Sequence, residues 1–405
     1  RNARSAPLAY VISCGNQAVL DIADYIDVLI DDPVITCFAL FVEGLPDIPR
    51  FSRIALRALE AGKPIIALKS GVSDLGASMA MSHTASLAGD DEHYQALFDR
   101  LGIIRVTTPV GLLETAKFVT HTGVPAGRRL KGFTCSGGDN EMIADLSAPY
   151  GLELPQPTEI QRAAMQEHMQ LYTSISNPLD FNTTNWGNYD VLLKLFTEAL
   201  SENADLGLLV MESSQAHEEN LGTREALEAL RDAGKATGVP VAQTNHFSEN
   251  SSAADREALH ATGLTMMQGM REGMGAIGKT CAFGERQQTV MARDSRDDLA
   301  IPAVSPLPDG VHALDEWAGK QALKAHGLPV PDGRAVAVGD AALAADEIGF
   351  PVTLKVLSDT ILHKTDVSGV ALNLADAASV EAAATDMVSR LGIDRVLVEP
   401  MAPKP

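Results

Sequence analysis

Aromatic residues are scarce in this 405-residue chain, at 5% of positions, and only four cysteines are present. With so few rings available, Ala, Leu, Val and Ile must fill the interior, as they do in α/β proteins. Cys14, Cys37, Cys135 and Cys281 form neither a CxxC pair nor a Cys/His zinc spacing. That excludes a metal cluster built on such motifs and fits a reduced, cytoplasmic protein with scattered thiols. No apolar run reaches the length of a membrane-spanning helix, and no signal peptide is seen. Basic residues are outnumbered, 32 Lys and Arg against 53 Asp and Glu, for a net charge of −21. The deficit argues against nucleic acid or an anionic membrane as partner. Nucleotides and coenzyme A stay open, because backbone amides and single lysines decide their binding.

What is present is ample apolar material, 45% of residues, and a length that suggests two to four domains. The chain starts at Arg1, an apolar segment follows almost at once, and it stops just after a strand; both ends are expected to be cut from a longer polypeptide. The organising stretch runs from Lys69 to Gly89. A buried strand, Pro64 to Lys69, leads into a loop of Gly, Ala, Ser and Thr that holds one imidazole, His83, and a helix opens after Gly89. His83 therefore falls in a loop at the carboxyl end of a strand, where open α/β sheets bind ligands. A neutral imidazole among small residues is able to carry a transferred phosphoryl group. A loop histidine that only bonds nearby backbone fits the same residues.

Residues 1–125 alternate strand and helix, with strands expected at Ala9–Ser13, Thr36–Val42, Pro64–Lys69 and Ile103–Val106. Short βα repeats give a parallel sheet. Glu43 ends the strand before the one leading to His83, so a carboxylate is placed to fix the imidazole tautomer; a solvated loop glutamate is the plain alternative. The pattern restarts in residues 126–284. Strand Lys131–Cys135 runs into Ser136-Gly137-Gly138 and a helix, the arrangement that cradles phosphate. Asp139 and Glu141 oppose an anion there. Trp186 lies in the polar stretch Ser176–Trp186 and, with Phe181 and Tyr189, suggests an aromatic-lined pocket or equally a core cap. Residues 285–310, charged and then proline-rich, read as a linker. In residues 311–405 the strand Phe350–Val356 presents Lys355 among apolar neighbours, which suggests a nucleotide phosphate. A loop with a second histidine, His363, follows, and the last strand ends in Glu399.

Three of these segments resemble the acyl-CoA synthetases (NDP-forming), relatives of succinyl-CoA synthetase. Ser82-His83-Thr84-Ala85-Ser86-Leu87-Ala88-Gly89, after Lys69-Ser70-Gly71, resembles the family's phosphohistidine loop. Ser136-Gly137-Gly138 with Asn177-Pro178-Leu179-Asp180 resembles its second ligase domain, although Asp139-Asn140 replaces the usual uncharged residue and glycine. Gly349 to Lys355 with Ile361 to Val370 resembles the start of its ATP-grasp domain. The resemblance implies two flavodoxin-like or Rossmann-like α/β domains followed by the start of an incomplete ATP-grasp domain. It implies an ADP-forming acyl-CoA synthetase acting on a small carboxylic acid, CoA and ATP, through acyl-phosphate and phosphohistidine intermediates. The order of the domains and the His363 loop favour this branch over a succinate-type ligase. Retention of His83, His363 and Lys355 favours it over a non-catalytic acyl-CoA-binding module of an acetyltransferase-type fusion. By resemblance His83 is phosphorylated, Glu43 orients it, His363 shuttles phosphate, Lys355 holds nucleotide phosphate and Glu399 begins the adenine-side hinge. Ser136, Gly137 and Gly138 are phosphate-binding candidates; Trp186, Asn177 and Asp180 are substrate-pocket candidates. Mg2+ is expected with the nucleotide, and assembly as a homo-oligomer is expected from paired-subunit relatives. No protein metal site, nucleic acid or membrane partner is expected.

Overall fold

The computed structural model describes residues 4–73, 75–76, 91–170, 173–212, 223–303, 314–358, 361 and 364–402. His83 with its loop, and His363, lie outside the described residues. The chain divides into two units, Arg1–Ala303 and Val304–Pro405.

Unit 1 contains two parallel sheets. The first has the order β1 (Phe38–Val42), β2 (Ile65–Lys69), β3 (Ile104–Val106). Its helices are α1 (Ile22–Leu29), α2 (Ile48–Glu60), α3 (Asp91–Leu101) and α4 (Pro109–Thr122). Local chemistry sets their starts: Asp21 closes a capping box, and Asp47 and Thr108 cap helices that begin next to proline. The second sheet has strands β4 (Leu130–Thr134), β5 (Leu179–Asp180), β6 (Leu206–Val210), β7 (Val241–Asn245) and β8 (Thr265–Gln268), in the order β5-β4-β6-β7-β8. Helices α5 (Gly137–Ser147), α6 (Glu159–Gln166), α7 (Tyr189–Leu200), α8 (Thr223–Thr237), α9 (Ala253–Ala261) and α10 (Met270–Met291) accompany it. Unbroken apolar strands such as β2 and β6, buried along their whole length, are what a parallel sheet covered on both faces requires.

The two sheets of unit 1 share helices. In α4, Ala116 and Val119 enter the first core while Phe118 enters the second. In α10, Met270, Met274, Ile277 and Cys281 pack in the second core, whereas Phe283 and Val290 pack in the first. Between them lies a buried polar seam. Glu114, fully buried on α4, accepts from Lys117 Nζ at 2.9 Å, from Arg4 Nη1 at 3.0 Å and from the Gln268 amide at 3.0 Å. Arg4 also donates to the Gln268 carbonyl at 3.2 Å, so two side chains close the edge of β8. Beside them His121 of α4 stacks on His260 of α9, ring centroids 4.2 Å apart.

Two expectations are corrected. Ala9–Ser13 is not a strand: Tyr10, Val11 and Ile12 are exposed, and among the described residues no strand pairs with them. An apolar run alone does not make a strand when its amides find no ladder. The linker does not begin at 285, because α10 continues to Met291, Val290 and Leu299 are buried in the first core, and the Ile301 amide donates to Ser52 Oγ at 2.8 Å.

Unit 2 is an antiparallel sheet, order β11-β10-β12-β9, made of β9 (Arg334–Ala337), β10 (Val352–Val356), β11 (Val370–Leu374) and β12 (Arg395–Pro400). Helices α12 (Ala341–Ile348) and α13 (Ala377–Leu391) pack through Ala344, Ala345, Val380, Ala384 and Met387 with Val352, Leu354, Val396 and Val398. Helix α11 (Glu316–Ala325) precedes them and buries none of its residues.

Candidate functional site

The carboxyl ends of β1 and β2 are level, since Val42 pairs with Lys69. Glu43 follows β1 and is exposed; Ser70 follows β2 and its amide donates to the Val42 carbonyl at 3.0 Å. The edge where Glu43 and the loop bearing His83 both start is thus a single rim. Lys69, quoted above only as part of a motif, is buried there with its ammonium 4.7 Å from the centre of the Tyr94 ring. Burial pushes its pKa down, and Asp91 and Glu43 partly offset this. A lysine closing an apolar strand is the signal that singled out Lys355, and applied evenly it finds Lys69.

At the second sheet, Ser136 caps α5 through the Asp139 amide at 3.4 Å, and Gly137 and Gly138 form the first turn. Asp139 is tied down. Its Oδ2 accepts from Thr134 Oγ1 at 3.0 Å, and its Oδ1 lies 2.8 Å from His246 Nε2. His246 follows β7, and its backbone amide bonds to Glu212, which follows β6. Glu212 also accepts from the Phe247 amide at 3.3 Å and from Asn250 Nδ2 at 2.8 Å. Asp180, level with Thr134 in the β4–β5 pairing, accepts from the Asn182 amide at 2.8 Å. Burial, then Asp139 and Asp180, push the Cys135 thiol up. The glycine turn therefore faces carboxylates and one imidazole. His246 and Glu212 were missed, although residues just past strands β6 and β7 are where the position of His83 directs attention.

The pocket candidates separate. Trp186 is 44% exposed, at the end of a short turn after β5. Asn177 is corrected to a structural tie: it is buried, accepts from the Gly132 amide at 3.0 Å, and donates to the carbonyls of Leu130 at 2.7 Å and Pro155 at 3.1 Å. Phe181 is fully buried against Phe196, ring centroids 5.6 Å apart, and is core rather than pocket. The Tyr189 hydroxyl is bound to Asp232 at 2.9 Å.

In unit 2, Lys355 of β10 and Glu399 of β12 meet across the sheet, with Nζ to Oε2 at 2.8 Å. Lys355 also reaches Glu316 Oε1 at 2.7 Å, and Lys320 reaches the same oxygen at 2.8 Å. Lys320 further pairs with Glu399, and Lys364 with Glu316 Oε2. Burial alone would lower Lys355 and raise Glu316; their mutual bonds prevail, lifting Lys355 and holding Glu316 down at about 2. Glu399 is an ion-pair partner inside β12, so its side chain is committed to lysines. Sequence reasoning found Lys355 and Glu399 but not Glu316, Lys320 or Lys364. Among the described residues no group of three His, Cys, Asp or Glu is arranged to hold a metal. The carboxylates here do not fit Mg2+, being engaged by lysines.

Residues 1–119 match the family model of a succinyl-CoA ligase like flavodoxin domain, and residues 306–405 that of an ATP-grasp domain. The chain is 27% identical to acetate–CoA ligase (ADP-forming) I of Archaeoglobus fulgidus over 376 residues, 90% of this chain and 52% of that protein. It is 26% identical to a trans-feruloyl-CoA synthase from an unknown prokaryotic organism over 368 residues, 90% of this chain and 51% of that protein. Among solved structures it resembles the dinucleotide-forming acetyl-coenzyme A synthetase 1 of Candidatus Korarchaeum cryptofilum in complex with phosphate and ADP, with a TM-score of 0.60, 25% identity, and coverage of 69% of this chain and 60% of that one. The chain thus spans about half the length of these curated relatives.

Proposed function

We propose that the chain belongs with the NDP-forming acyl-CoA synthetases, on their ADP-forming branch, and is part of a ligase that makes an acyl-CoA from a small carboxylic acid, CoA and ATP. The observation that supports this most is the joining, in one chain, of a parallel-sheet rim bearing Glu43, from which the segment containing His83 departs, to a sheet in which an inner strand presents Lys355.

In this reading Lys355 holds the nucleotide phosphates as a point charge. The γ-phosphoryl group passes to histidine: an N–P bond forms, the P–O bond to ADP breaks, and ADP leaves. His363 takes the group first and His83 receives it, with Glu43 holding the His83 ring so that one nitrogen stays nucleophilic. A carboxylate oxygen of the acid then takes the phosphoryl group from His83 and becomes an acyl phosphate. The CoA thiol, losing its proton, attacks the carbonyl carbon, and inorganic phosphate departs. Mg2+ is proposed to come with the nucleotide, held by its phosphates and water and not by the carboxylates of unit 2. Trp186 is proposed as a wall of the acid site and Asp180 as a polar neighbour. The turn at Ser136, Gly137 and Gly138 is proposed to face a phosphate-bearing group, with Asp139 held by Thr134 and His246. The enzyme is proposed to work as a homo-oligomer in the cytoplasm.

The test is incubation of the full-length protein with γ-labelled ATP. Acid-labile label is expected on the wild type, is confined to His363 in His83→Ala, and is lost in His363→Ala, where the relay cannot start. Absence of label on the wild type overturns the reading. A panel including acetate and ferulate in a CoA-dependent ADP-release assay then identifies the acid.

A further inference from the structure

The five charged side chains of unit 2 form a closed figure. Lys320 and Lys355 each bridge Glu316 and Glu399, making a ring of four alternating charges that is neutral by itself. Lys364 attaches to the remaining oxygen of Glu316 and leaves the cluster one positive charge in excess. In a chain with 53 acids and 32 bases, three lysines on two carboxylates run against composition. Buried ion clusters are no more stabilising than apolar packing of the same volume, so stability alone does not account for the group.

The two carboxylates differ in freedom. The Glu399 side chain is 5% exposed and sits within a paired strand between β10 and β9. The Glu316 side chain is 23% exposed and stands in the first turn of α11, a helix with no buried residue. Rotation of Glu316 toward solvent disturbs no core. All three ammonium groups converge on its two oxygens, Lys320 and Lys355 on Oε1 and Lys364 on Oε2. That is the donor set an incoming phosphate would accept from.

We propose that Glu316 is a placeholder anion: it occupies the seat of a nucleotide phosphate, yields to it, and leaves Lys320 and Lys364 as phosphate ligands beside Lys355. This rests on the nucleotide reading of Lys355 given above. The exchange balances, since three ammonium groups trade one carboxylate for one phosphate, and the released carboxylate gains water.

The experiment measures equilibrium binding of ADP and of inorganic tripolyphosphate to the full-length protein and its variants. Glu316→Gln removes the competing charge and is expected to tighten both ligands about tenfold, the worth of one charge-assisted hydrogen bond. Lys364→Met and Lys320→Met are each expected to weaken both about tenfold. A gain in affinity cannot arise from misfolding, and a thermal melt checks the lysine variants. Weaker or unchanged binding in Glu316→Gln overturns the placeholder, as does unchanged binding in both lysine variants. If the wild type binds ADP and Glu316→Gln does not shift it, the nucleotide reading stands and this inference falls. If tripolyphosphate binds and tightens in the variant but ADP does not bind, the nucleotide reading falls and takes the inference with it, leaving a cluster that binds polyphosphate. If neither ligand binds any form, both fall.

Discussion

At the scale of single residues, the most informative groups are those whose charge is constrained by burial. His260 and His121 stack with both Nε2 atoms buried and without a hydrogen-bond partner among the described residues. Burial, then His121 and Lys117, hold His260 down at about 4; burial and Lys117 push His121 down as well. Arg256 lies near His260 on the same helix and adds to the repulsion, while Glu114 is the seam's buried carboxylate. The unfolded chain protonates these rings near pH 6.5, so it binds more protons than the folded chain between that pH and about 4. Stability is therefore full above pH 6.5 and falls as the pH drops toward 4. After allowance for solvent screening the loss from His260 is about 1–2 kcal/mol. His260→Phe keeps the ring contact and is expected to flatten this part of the dependence of Tm on pH. An unchanged difference in Tm between pH 7 and pH 5 would count against it. The position of Lys355 was legible because one strong rule applies to a lysine inside an apolar strand; its pairing with Glu316 and Glu399 was not. It was not legible for Asp139 and His246, which lie 107 positions apart and meet only because β4 and β7 end at the same edge.

At the scale of elements, sequence periodicity located most strands of the parallel sheets to within two residues, because they are short, unbroken and apolar. It failed where tertiary context decides. The run at Ala9–Ser13 has strand character but lacks a ladder. Helix α10 contains four interior glycines, at 273, 275, 278 and 284, and glycine weakens a helix by about 1 kcal/mol relative to alanine. The structure gives the reason: a Cβ on Gly278 would lie 2.6 Å from both the carbonyl oxygen and the Cβ of Tyr150. Gly278→Ala thus trades a helix gain of about 1 kcal/mol for a clash with backbone, and overpacking typically costs 1–3 kcal/mol or more. Because the clash is with backbone its cost falls at the upper end, and a net loss of about 2 kcal/mol is expected in denaturant unfolding. A stabilised variant would mean that the approach of α10 to residue 150 is looser than the structure has it.

At the scale of the whole molecule, the fold class was legible but the division into parts was only partly so. Alternating strand and helix implied parallel sheets, and they are present twice. The assignment of a boundary near residue 125 missed that α4 and α10 serve two cores, because which side of a helix faces which sheet is not written in its own spacing. The seam on Glu114 carries the consequence. Glu114→Gln leaves Lys117, itself fully buried, without its countercharge; breaking such a pair costs about 3–5 kcal/mol. The loss is expected in a single urea transition that probes in both sheets report together. Two separated transitions, with only one displaced, would show that the sheets unfold independently.

Helix α10 has 22 residues and so runs for about 33 Å, one end rooted among methionines of the second core and the other capped by Val290 in the first. It works as a common tie-rod, and this decides where the polypeptide tolerates being severed. A gene split between the two parallel sheets would give two fragments, each with a torn apolar surface. A split just past residue 303 would leave both halves with intact interiors.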